Sequence, residues 1–510
     1  MKRNWKKAAP VLALCALLAI GLTMFAVADH RFKDVPSNHW AADAIEESVA
    51  VGLFQGKTNG TFGLGQEMSR AAFATALNRL FGWQALTPQF PTFSDVAQSD
   101  WYFSAVETAC ANGAVSRQSA EFRPSDAITR EEMAVMLVRA LNYDTLSGLA
   151  QDLPSSFQDL TTNTGYVSVA HELGLMTGMT ATHFAPSDPA TREQAAVVLM
   201  RLYHKLHQGA PAVSAVCGAE GLETDRPMET VAIAAARLTA PGGQVQLGLP
   251  ISRQEAAQLG TDAQAKGAKA LLLVSGDASS LQGDAQASAA LLAEEVKNGP
   301  WDGIQLDFSQ LTSAEKAPFT ALVTALRAAL PDKLLFVTAE APAWNGTAYG
   351  GYDHIALANL ADRLILHIAP GADTNENLPI ASPEPLEEVY YALSTLTKKI
   401  DPSKLSLLLT TTGSQWSGTG AYARADGVLT AAAIEDLRDG TDSYYYTRHQ
   451  AAYLVKGSQN PQTVWYLDEA AMAARLRMAA FWGVNQVTLS DGGSVADYEG
   501  YSIANVLWHS

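Results

Sequence analysis

Three stretches in the first 205 residues place apolar side chains at positions i, i+3, i+4 and i+7, which defines one face of a helix. They begin at Arg70, Arg130 and Arg192, spaced 60 and 62 residues apart. The apolar positions are Phe73, Ala76, Leu77 and Leu80; Met133, Met136, Leu137 and Ala140; and Ala195, Val198, Leu199 and Leu202. A shorter stripe precedes the first, at Ile45, Val49 and Leu53. The pattern predicts three repeated helix–loop–helix units of about 60 residues that pack against their neighbours.

A hydroxyl residue precedes each long stripe, in the position of a helix N-cap. These residues are Ser69, Thr129 and Thr191. Glu132 and Gln194, three residues after their caps, complete capping boxes in the second and third repeats. Ala72 breaks the box in the first repeat.

The repeats also share residues outside the long helix. Each begins with a Phe-x-Asp motif that contains Asp34, Asp95 or Asp159, and each has a Phe eight residues before its Arg. The first two carry Trp40 and Trp101 after the Asp, whereas the third has Tyr166 one position later. The repeats are therefore related but unequal.

The chain beyond residue 212 alternates β-rich apolar runs with Ala-rich helical runs. We predict strands at 213–218, 229–237, 270–276, 303–308, 334–340, 363–369, 405–411 and 485–490. Two amphipathic helices are predicted at 384–399 and 468–482, with Asp468 as the cap of the second. Eight strands with intervening helices over this length predict an α/β (β/α)8, or TIM, barrel.

Composition and net charge limit the classes of protein to which the chain can belong. The 510 residues are 48% hydrophobic and 17% charged, with a net charge of −17, so the chain is globular and does not suit nucleic acid. Residues 1–28 have a basic start, an apolar run and a small-x-small ending, which predicts a secretory signal peptide rather than an uncleaved membrane anchor. The two remaining cysteines fall in different predicted domains, and no motif calls for a metal or other cofactor.

The repeated motif resembles that of the S-layer homology (SLH) repeat over roughly residues 31–205. The resemblance implies a pseudo-threefold unit that binds secondary cell-wall polysaccharide, typically one carrying pyruvate ketals. It places Arg70, Arg130 and Arg192 in the grooves between repeats, with Trp40 and Trp101 as further binding residues. A guanidinium suits a ketal carboxylate, and the first helical turn brings backbone N–H groups close to an anion.

A purely structural role for the three Arg residues stays open, in which they pair with Asp34, Asp95 and Asp159. Arg70 is the weakest binding candidate because its Ser-Arg-Ala-Ala context departs from the family pattern.

Polar residues follow the predicted barrel strands, where the chemistry of such barrels resides. They are Asp307 on the fourth strand, Glu340 on the fifth, His367 on the sixth, Gln415 and Trp416 after the seventh, and Asp491 after the eighth. Carboxylates with nearby aromatic groups such as Trp344 suit a sugar cleft.

Four ordered blocks resemble glycoside hydrolase family 18, and the strand-four block Trp301–Ser309 is the most informative. That family protonates the glycosidic oxygen with a Glu, while a neighbouring Asp orients the substrate's acetamido group. Ser309 occupies the Glu position, and Gln305 replaces another motif Asp. Loss of the acid alone costs on the order of 10²–10⁴ in rate.

Two functions remain open for the barrel. One is a non-catalytic glycan-binding or scaffold domain, with Gln305, Trp344 and Trp416 in the cleft. The other is an active glycosidase with a relocated acid, using Glu340 with Asp307 on peptidoglycan or another N-acetylhexosamine polymer. Carboxyl groups about 5–10 Å apart across an open cleft would favour the enzyme.

We therefore predict a secreted multi-domain protein held at the cell wall or S-layer surface, without a membrane segment after signal cleavage. Its predicted parts are a signal peptide (1–28), all-α repeats (29–86, 87–146 and 147–205), a linker (206–212) and a TIM barrel (213–510).

Overall fold

A computed structural model describes residues 32–345, 348–371, 373–374 and 379–508. The predicted signal peptide lies outside these residues. The chain divides between His204 and Lys205 into two compact units. The domain boundaries given above remain predictions.

The first unit is helical, as the apolar stripes predict. Its helices are α1 Ala42–Ala50, α2 Arg70–Phe81, α3 Phe103–Ala111, α4 Arg130–Ala140, α5 Asp144–Gln151, α6 Thr164–Glu172 and α7 Arg192–Leu206. The long helices α2, α4 and α7 begin at the three repeated Arg residues. Thr129 and Glu132 form the predicted capping box, and Thr191 pairs in the same way with Gln194. Helix α5 was not predicted.

The three repeats close into a ring through equivalent backbone bonds. Met68 N–H donates to the Ala190 carbonyl at 2.9 Å, Ala190 N–H to Ile128 at 2.8 Å, and Ile128 N–H to Met68 at 2.8 Å. Each of these residues lies just before the N-cap of a long helix, so the cycle gives the unit an approximate threefold axis. Repeat 3 is consequently a direct neighbour of repeat 1.

The second unit contains a closed barrel of eight parallel strands. They are β1 Ala212–Cys217, β2 Thr230–Thr239, β3 Lys269–Gly276, β4 Gly303–Phe308, β5 Leu334–Glu340, β6 Arg363–His367, β7 Leu405–Leu409 and β8 Gln486–Leu489. Each strand pairs with the next, and β8 pairs back to β1. The predicted (β/α)8 architecture is confirmed, with every strand end within two residues of its predicted position.

Among the described residues, helices follow β2 to β8 but not β1, and an apolar core fills the barrel. The helices are Arg253–Ala265, Ala285–Asn298, Lys316–Ala329, His354–Leu360, Leu386–Leu396, Ala431–Arg438, Glu469–Phe481 and Ile503–Trp508. The central core cluster contains Ala232, Leu271, Leu273, Phe336 and Ile365. Polar side chains that face inward above this layer therefore lie towards the carboxyl ends of the strands.

A second sheet, which was not predicted, lies in the chain between β7 and β8. Its five antiparallel strands are Gly413–Ser417, Arg424–Leu429, Ser443–Tyr446, Ala451–Lys456 and Gln462–Tyr466. We call it the insertion sheet. Short strands at Gln246–Gly248, Asp373–Thr374 and Pro379–Ile380 complete the described strands of this unit.

Candidate functional sites

The repeated Arg of each long helix contacts the next repeat around the ring. Arg70 Nε donates to the Phe122 carbonyl at 2.8 Å, Arg130 Nε to Phe184 at 2.9 Å, and Arg192 Nε to Phe62 at 3.1 Å. Each guanidinium also lies over the ring of the same Phe, 4.6–5.0 Å from its centroid. All three Arg residues therefore help to close the ring.

The alternative in which each Arg pairs with the Asp of a Phe-x-Asp motif was wrong. Asp34, Asp95 and Asp159 instead accept hydrogen bonds from the backbone N–H groups of the Phe-containing loops, at 2.7–2.9 Å. The loop backbone is thus held by an Asp of its own repeat and by the Arg of the preceding one.

The expectation of free backbone N–H groups at the start of these helices was also wrong. Arg70 N–H donates to Asp126, Arg130 N–H to Asp188 and Arg192 N–H to Gln66, all backbone carbonyls of the following repeat. Any anion in a groove must therefore be bound mainly by side chains.

We name the inter-repeat surfaces by their Arg residues: the first groove holds Arg70, the second Arg130 and the third Arg192. In the first groove, Arg70 Nη1 lies 2.8 Å from Glu132 Oε1, and Arg123 Nη2 binds the same oxygen. In the second groove, Arg130 Nη2 donates to the Thr177 carbonyl at 2.6 Å. In the third, Arg192 Nη2 donates to the Gln55 carbonyl at 3.3 Å. Burial lowers the pKa of all three guanidinium groups, which remain charged at neutral pH.

Trp40 and Trp101 are the two most solvent-exposed tryptophans of the repeats, with 63% and 70% of their surface accessible. They precede α1 and α3, helices that contact the long helix of the preceding repeat through Glu47 and Ala105. Tyr166 does not replace them, because its hydroxyl donates to Asp144 at 2.6 Å beneath a guanidinium.

At the carboxyl ends of β4, β5 and β6, the barrel brings Asp307, Glu340 and His367 together. Glu340 is 6% exposed, and its Oε2 lies 3.0 Å from His367 Nδ1. Burial opposes protonation of His367, but the hydrogen bond and charge of Glu340 outweigh it and raise the pKa of His367. Burial raises the pKa of Asp307, with His367 opposing this shift and Glu340 adding to it.

Register fixes the spacing of the two carboxylates. Asp307 pairs with Thr338, two residues before Glu340 on the neighbouring strand. A strand separation of about 4.8 Å and a rise of about 6.6 Å put the Cα atoms of Asp307 and Glu340 about 8 Å apart. This spacing suits a carboxylate pair, but Glu340 is buried and bound to an imidazole.

The other residues of the strand-four block have different surroundings. Ser309 is exposed. Gln305 is 2% exposed, and its amide donates to the Thr338 hydroxyl at 3.2 Å. Asp302 accepts from Ala270 N–H at 2.8 Å, so it joins β3 to β4 below the site.

The two predicted cleft tryptophans lie on separate elements. Trp344 is half-buried in the loop after β5, and its backbone N–H donates to the buried Glu388 at 2.6 Å. Trp416 follows the seventh barrel strand as predicted, and it lies within the first strand of the insertion sheet. There it packs on a cluster that contains Trp465. Within the described residues, the Trp344 ring contacts Tyr391 and not Trp416.

Several site residues were missed from sequence. The Tyr352 hydroxyl donates to the Phe308 carbonyl at 2.5 Å and so holds the end of β4, a contact that the sequence did not predict. The fully buried Arg475 joins the insertion sheet to the barrel. Aligning the Phe loops would have revealed Arg123, which stands where the other repeats have Gly63 and Ala185.

Metal and membrane features can be stated only for the described part of the chain. It contains no group of three or more His, Cys, Asp or Glu arranged to hold a metal ion. None of its helices is long and apolar enough to cross a bilayer.

Comparison with known families defines the class of each unit. The S-layer homology domain matches residues 31–74, 92–134 and 156–196. The family described as Glycosyl hydrolases family 18 matches residues 231–483. The chain therefore contains three S-layer homology domains followed by a glycosyl hydrolase family 18 domain, and the SLH repeats indicate anchoring at the cell surface.

Three curated relatives illustrate the contexts of similar sequence. They are an amylopullulanase of Thermoanaerobacterium thermosulfurigenes (32% identical over 35% of this chain), an S-layer protein of Bacillus thuringiensis subsp. finitimus (32% over 38%) and exoglucanase XynX of Acetivibrio thermocellus (31% over 34%). The matches span only 10%, 24% and 16% of these relatives' own lengths.

Among solved structures, two similar chains are a putative chitinase C-terminal domain from Desulfitobacterium hafniense and the spore cortex-lytic enzyme SleL of Bacillus cereus. The first is 19% identical, covers 56% of this chain and 95% of its own, and has a TM-score of 0.47. The second is 13% identical, covers 56% and 72%, and has the same TM-score.

Proposed function

We propose that this protein is exported and held on the cell wall by its SLH unit, which binds secondary cell-wall polysaccharide carrying pyruvate ketals. The barrel displayed by this anchor binds glycan without hydrolysing it. Three guanidinium groups at the junctions between repeats support the anchoring role, because a guanidinium binds a carboxylate through two parallel hydrogen bonds. Trp40 and Trp101 add exposed ring faces for sugar.

One observation carries the non-catalytic proposal for the barrel. Ser309 stands exposed where the family resemblance requires a carboxylic acid, and a hydroxyl cannot supply a proton near neutral pH. The nearest substitute, Glu340, is buried and hydrogen-bonded to His367. Buried Gln305 likewise binds Thr338 instead of lining the site with a second carboxylate.

A hydrolysis assay with the full chain tests this proposal. We expect no turnover of chitin oligosaccharides or peptidoglycan fragments, while the same fragments bind in a calorimetric titration. Turnover that Glu340→Gln abolishes, and that the matched exterior variant Glu294→Gln leaves intact, would overturn it.

An active glycosidase is the second candidate, and the state of Asp307 favours it. A carboxyl group with a raised pKa can donate a proton, and Glu340 lies on the neighbouring strand. If this candidate is right, Asp307→Asn removes turnover and the rate falls on the alkaline side as Asp307 ionises. Without turnover in the wild type, the candidate fails.

Wall retention tests the anchor separately. Protein-free walls carrying ketal-bearing polysaccharide should retain the full chain, and the same walls after removal of that polysaccharide should not. Equal retention by both preparations would refute the proposed ligand.

A further inference from the structure

Each groove must be judged from two repeats, because each Arg faces the repeat that follows it. The third groove therefore combines Arg192 of repeat 3 with the Phe62 loop of repeat 1, and the helix that follows Trp40 contacts the helix of Arg192 through Glu47 and His204. The missing Trp of repeat 3 affects the second groove and not the third. This assignment follows from the ring closure and is not visible in single-repeat motifs.

The first groove already contains an internal carboxylate opposite its Arg. Glu132 Oε1 lies 2.8 Å from Arg70 Nη1 and also binds Arg123, while Oε2 accepts from Thr129 N–H at 3.1 Å. Arg123 has a second acidic neighbour, Asp126, at 3.6 Å. The two cations are thus matched by two carboxylates. A carboxylate ligand would have to displace one that is fixed in place by a capping box.

The second groove has the neutral Gln194 in the place of Glu132, and its position equivalent to Arg123 carries no charge. Ala185 replaces Arg123, and Asp188 and Asp159 favour the charged state of Arg130, as Asp34 and Glu193 do for Arg192. Arg130 is 6% exposed and donates to two carbonyls of repeat 3. No tryptophan stands before the neighbouring helix α6.

In the third groove, no glutamate stands opposite Arg192 at the position equivalent to Glu132. Ala72 occupies the Glu132 position, and Gln66 occupies that of Asp126. The Lys57 ammonium donates to the side-chain oxygen of Gln66 and lies against Gly63, one residue from the carbonyl that Arg192 binds. Arg192 makes longer bonds to its two carbonyls, 3.1 and 3.3 Å, than Arg130 does.

A carboxylate does lie beside this groove, but it is directed elsewhere. Glu193 Oε2 accepts from Gly65 N–H at 3.0 Å. In the described part of the chain, no carboxylate oxygen lies within 4.0 Å of the Arg130 or Arg192 guanidinium nitrogens. Arg192 is therefore available to an external anion, with an additional cation nearby.

We infer that the third groove, with Arg192, Lys57 and Trp40, is the principal site for the anionic sugar, and that Glu132 keeps the first groove closed. The inference rests on the proposed wall-anchoring function and specifies where that function resides. The ligand is a polysaccharide unit bearing a carboxylate, recognised by the paired cations and an exposed ring.

Ala72→Glu tests the inference without altering any Arg. The threefold arrangement places a Glu at position 72 opposite Arg192, as Glu132 lies opposite Arg70. The same change completes a capping box with Ser69, so the helix should be stabilised rather than weakened. We expect wall retention of the full chain to fall at least tenfold while its unfolding temperature does not decrease.

Two further variants complete the experiment, using walls with and without the ketal-bearing polysaccharide. Gln84→Glu adds the same charge at an exposed position of repeat 1 and should leave retention unchanged. Glu132→Gln should free Arg70 and raise retention about threefold or more. Unchanged retention of Ala72→Glu would overturn the inference while leaving wall anchoring intact. Failure of the wild type to bind either wall preparation would refute both.

Discussion

Arg475 provides the sharpest test of how the insertion sheet is held on the barrel. Its side chain is fully buried, and it donates to the carbonyls of Gln450 at 2.5 Å, His449 at 3.0 Å and Pro383 at 3.0 Å. These carbonyls belong to the turn before an insertion strand and to the loop after β6. One guanidinium on the helix Glu469–Phe481 therefore binds both segments, which also contact each other where Leu386 N–H donates to the His449 carbonyl at 3.3 Å and the Ser382 hydroxyl lies 2.6 Å from His449 Nδ1. Burial lowers the pKa of Arg475 to about 10, so it stays charged at neutral pH.

Arg475→Leu keeps much of the volume and removes the donors. The His449 carbonyl keeps the Leu386 N–H as a donor at 3.3 Å. Loss of the bonds to the Gln450 and Pro383 carbonyls costs about 1–2 kcal/mol each, so the free energy of unfolding should fall by about 2–4 kcal/mol. The variant also removes a positive charge that opposes the raised pKa of buried Glu384. Adding Glu384→Gln should therefore recover part of the loss, which a purely steric effect would not do.

Urea unfolding followed by tryptophan fluorescence measures this effect, because Trp465 and Trp416 lie in the insertion sheet. Arg477→Leu, on the same helix and only half-buried, is the matched control and should change the free energy by less than about 0.5 kcal/mol. A change below about 1 kcal/mol for Arg475→Leu would refute the idea that this side chain holds the segments together.

Three further predictions concern the barrel. Gly303→Ala places a methyl carbon 2.2 Å from a backbone oxygen of the next strand, so its soluble yield and melting temperature should drop sharply; Gly248→Ala, with no atom closer than 3.7 Å, should fold normally. The bond of His367 to Glu340 raises the pKa of the imidazole. The stabilisation that this bond gives the fold should be complete below the ordinary imidazole pKa of about 6.5, and it should be lost as pH rises through the higher folded-state pKa. A pH series of melting temperatures should show this loss for the wild type and not for His367→Gln. Asp307→Asn should raise the melting temperature at neutral pH, because burial makes ionisation of this carboxyl costly once the pH exceeds its ordinary value of about 3.8; equal melting temperatures at pH 4 and 7 in the wild type would contradict this.

The barrel strands were predictable because each is a short run of β-branched and aliphatic residues buried on both faces. The insertion sheet lacks that signal. Its strand Arg424–Leu429 is exposed over nearly its whole length, and Ser443–Tyr446 carries three tyrosines in a row. Neither alternates in the way that indicates a half-buried strand. The eight-strand pattern was therefore found, and the sheet between its last two strands was missed.

For the candidate sites, the sequence predicted which residues matter but not which groups they contact. The repeats and their family resemblance identified Arg70, Arg130 and Arg192, and the ends of the predicted strands identified Asp307 and Glu340. The sequence could not show which carbonyl or carboxylate each would contact, because those partners lie dozens of residues away and depend on ring or barrel closure. The assumed Arg–Asp pairs failed for this reason: both side chains bind the same loop, but from different repeats.

The dual use of the Arg residues affects how anchoring should be studied. Arg130 and Arg192 use Nε to close the ring, and each also donates through Nη2 to a backbone carbonyl. An Arg-to-Ala variant would therefore lose ring contacts and ligand contacts together, and weaker wall binding could reflect either loss. The residue three positions after each cap avoids this ambiguity, because a side chain there faces the guanidinium without closing the ring. Glu132 is charged at that position, whereas Ala72 and Gln194 are neutral, so exchanging these residues between repeats should change binding while the ring remains closed.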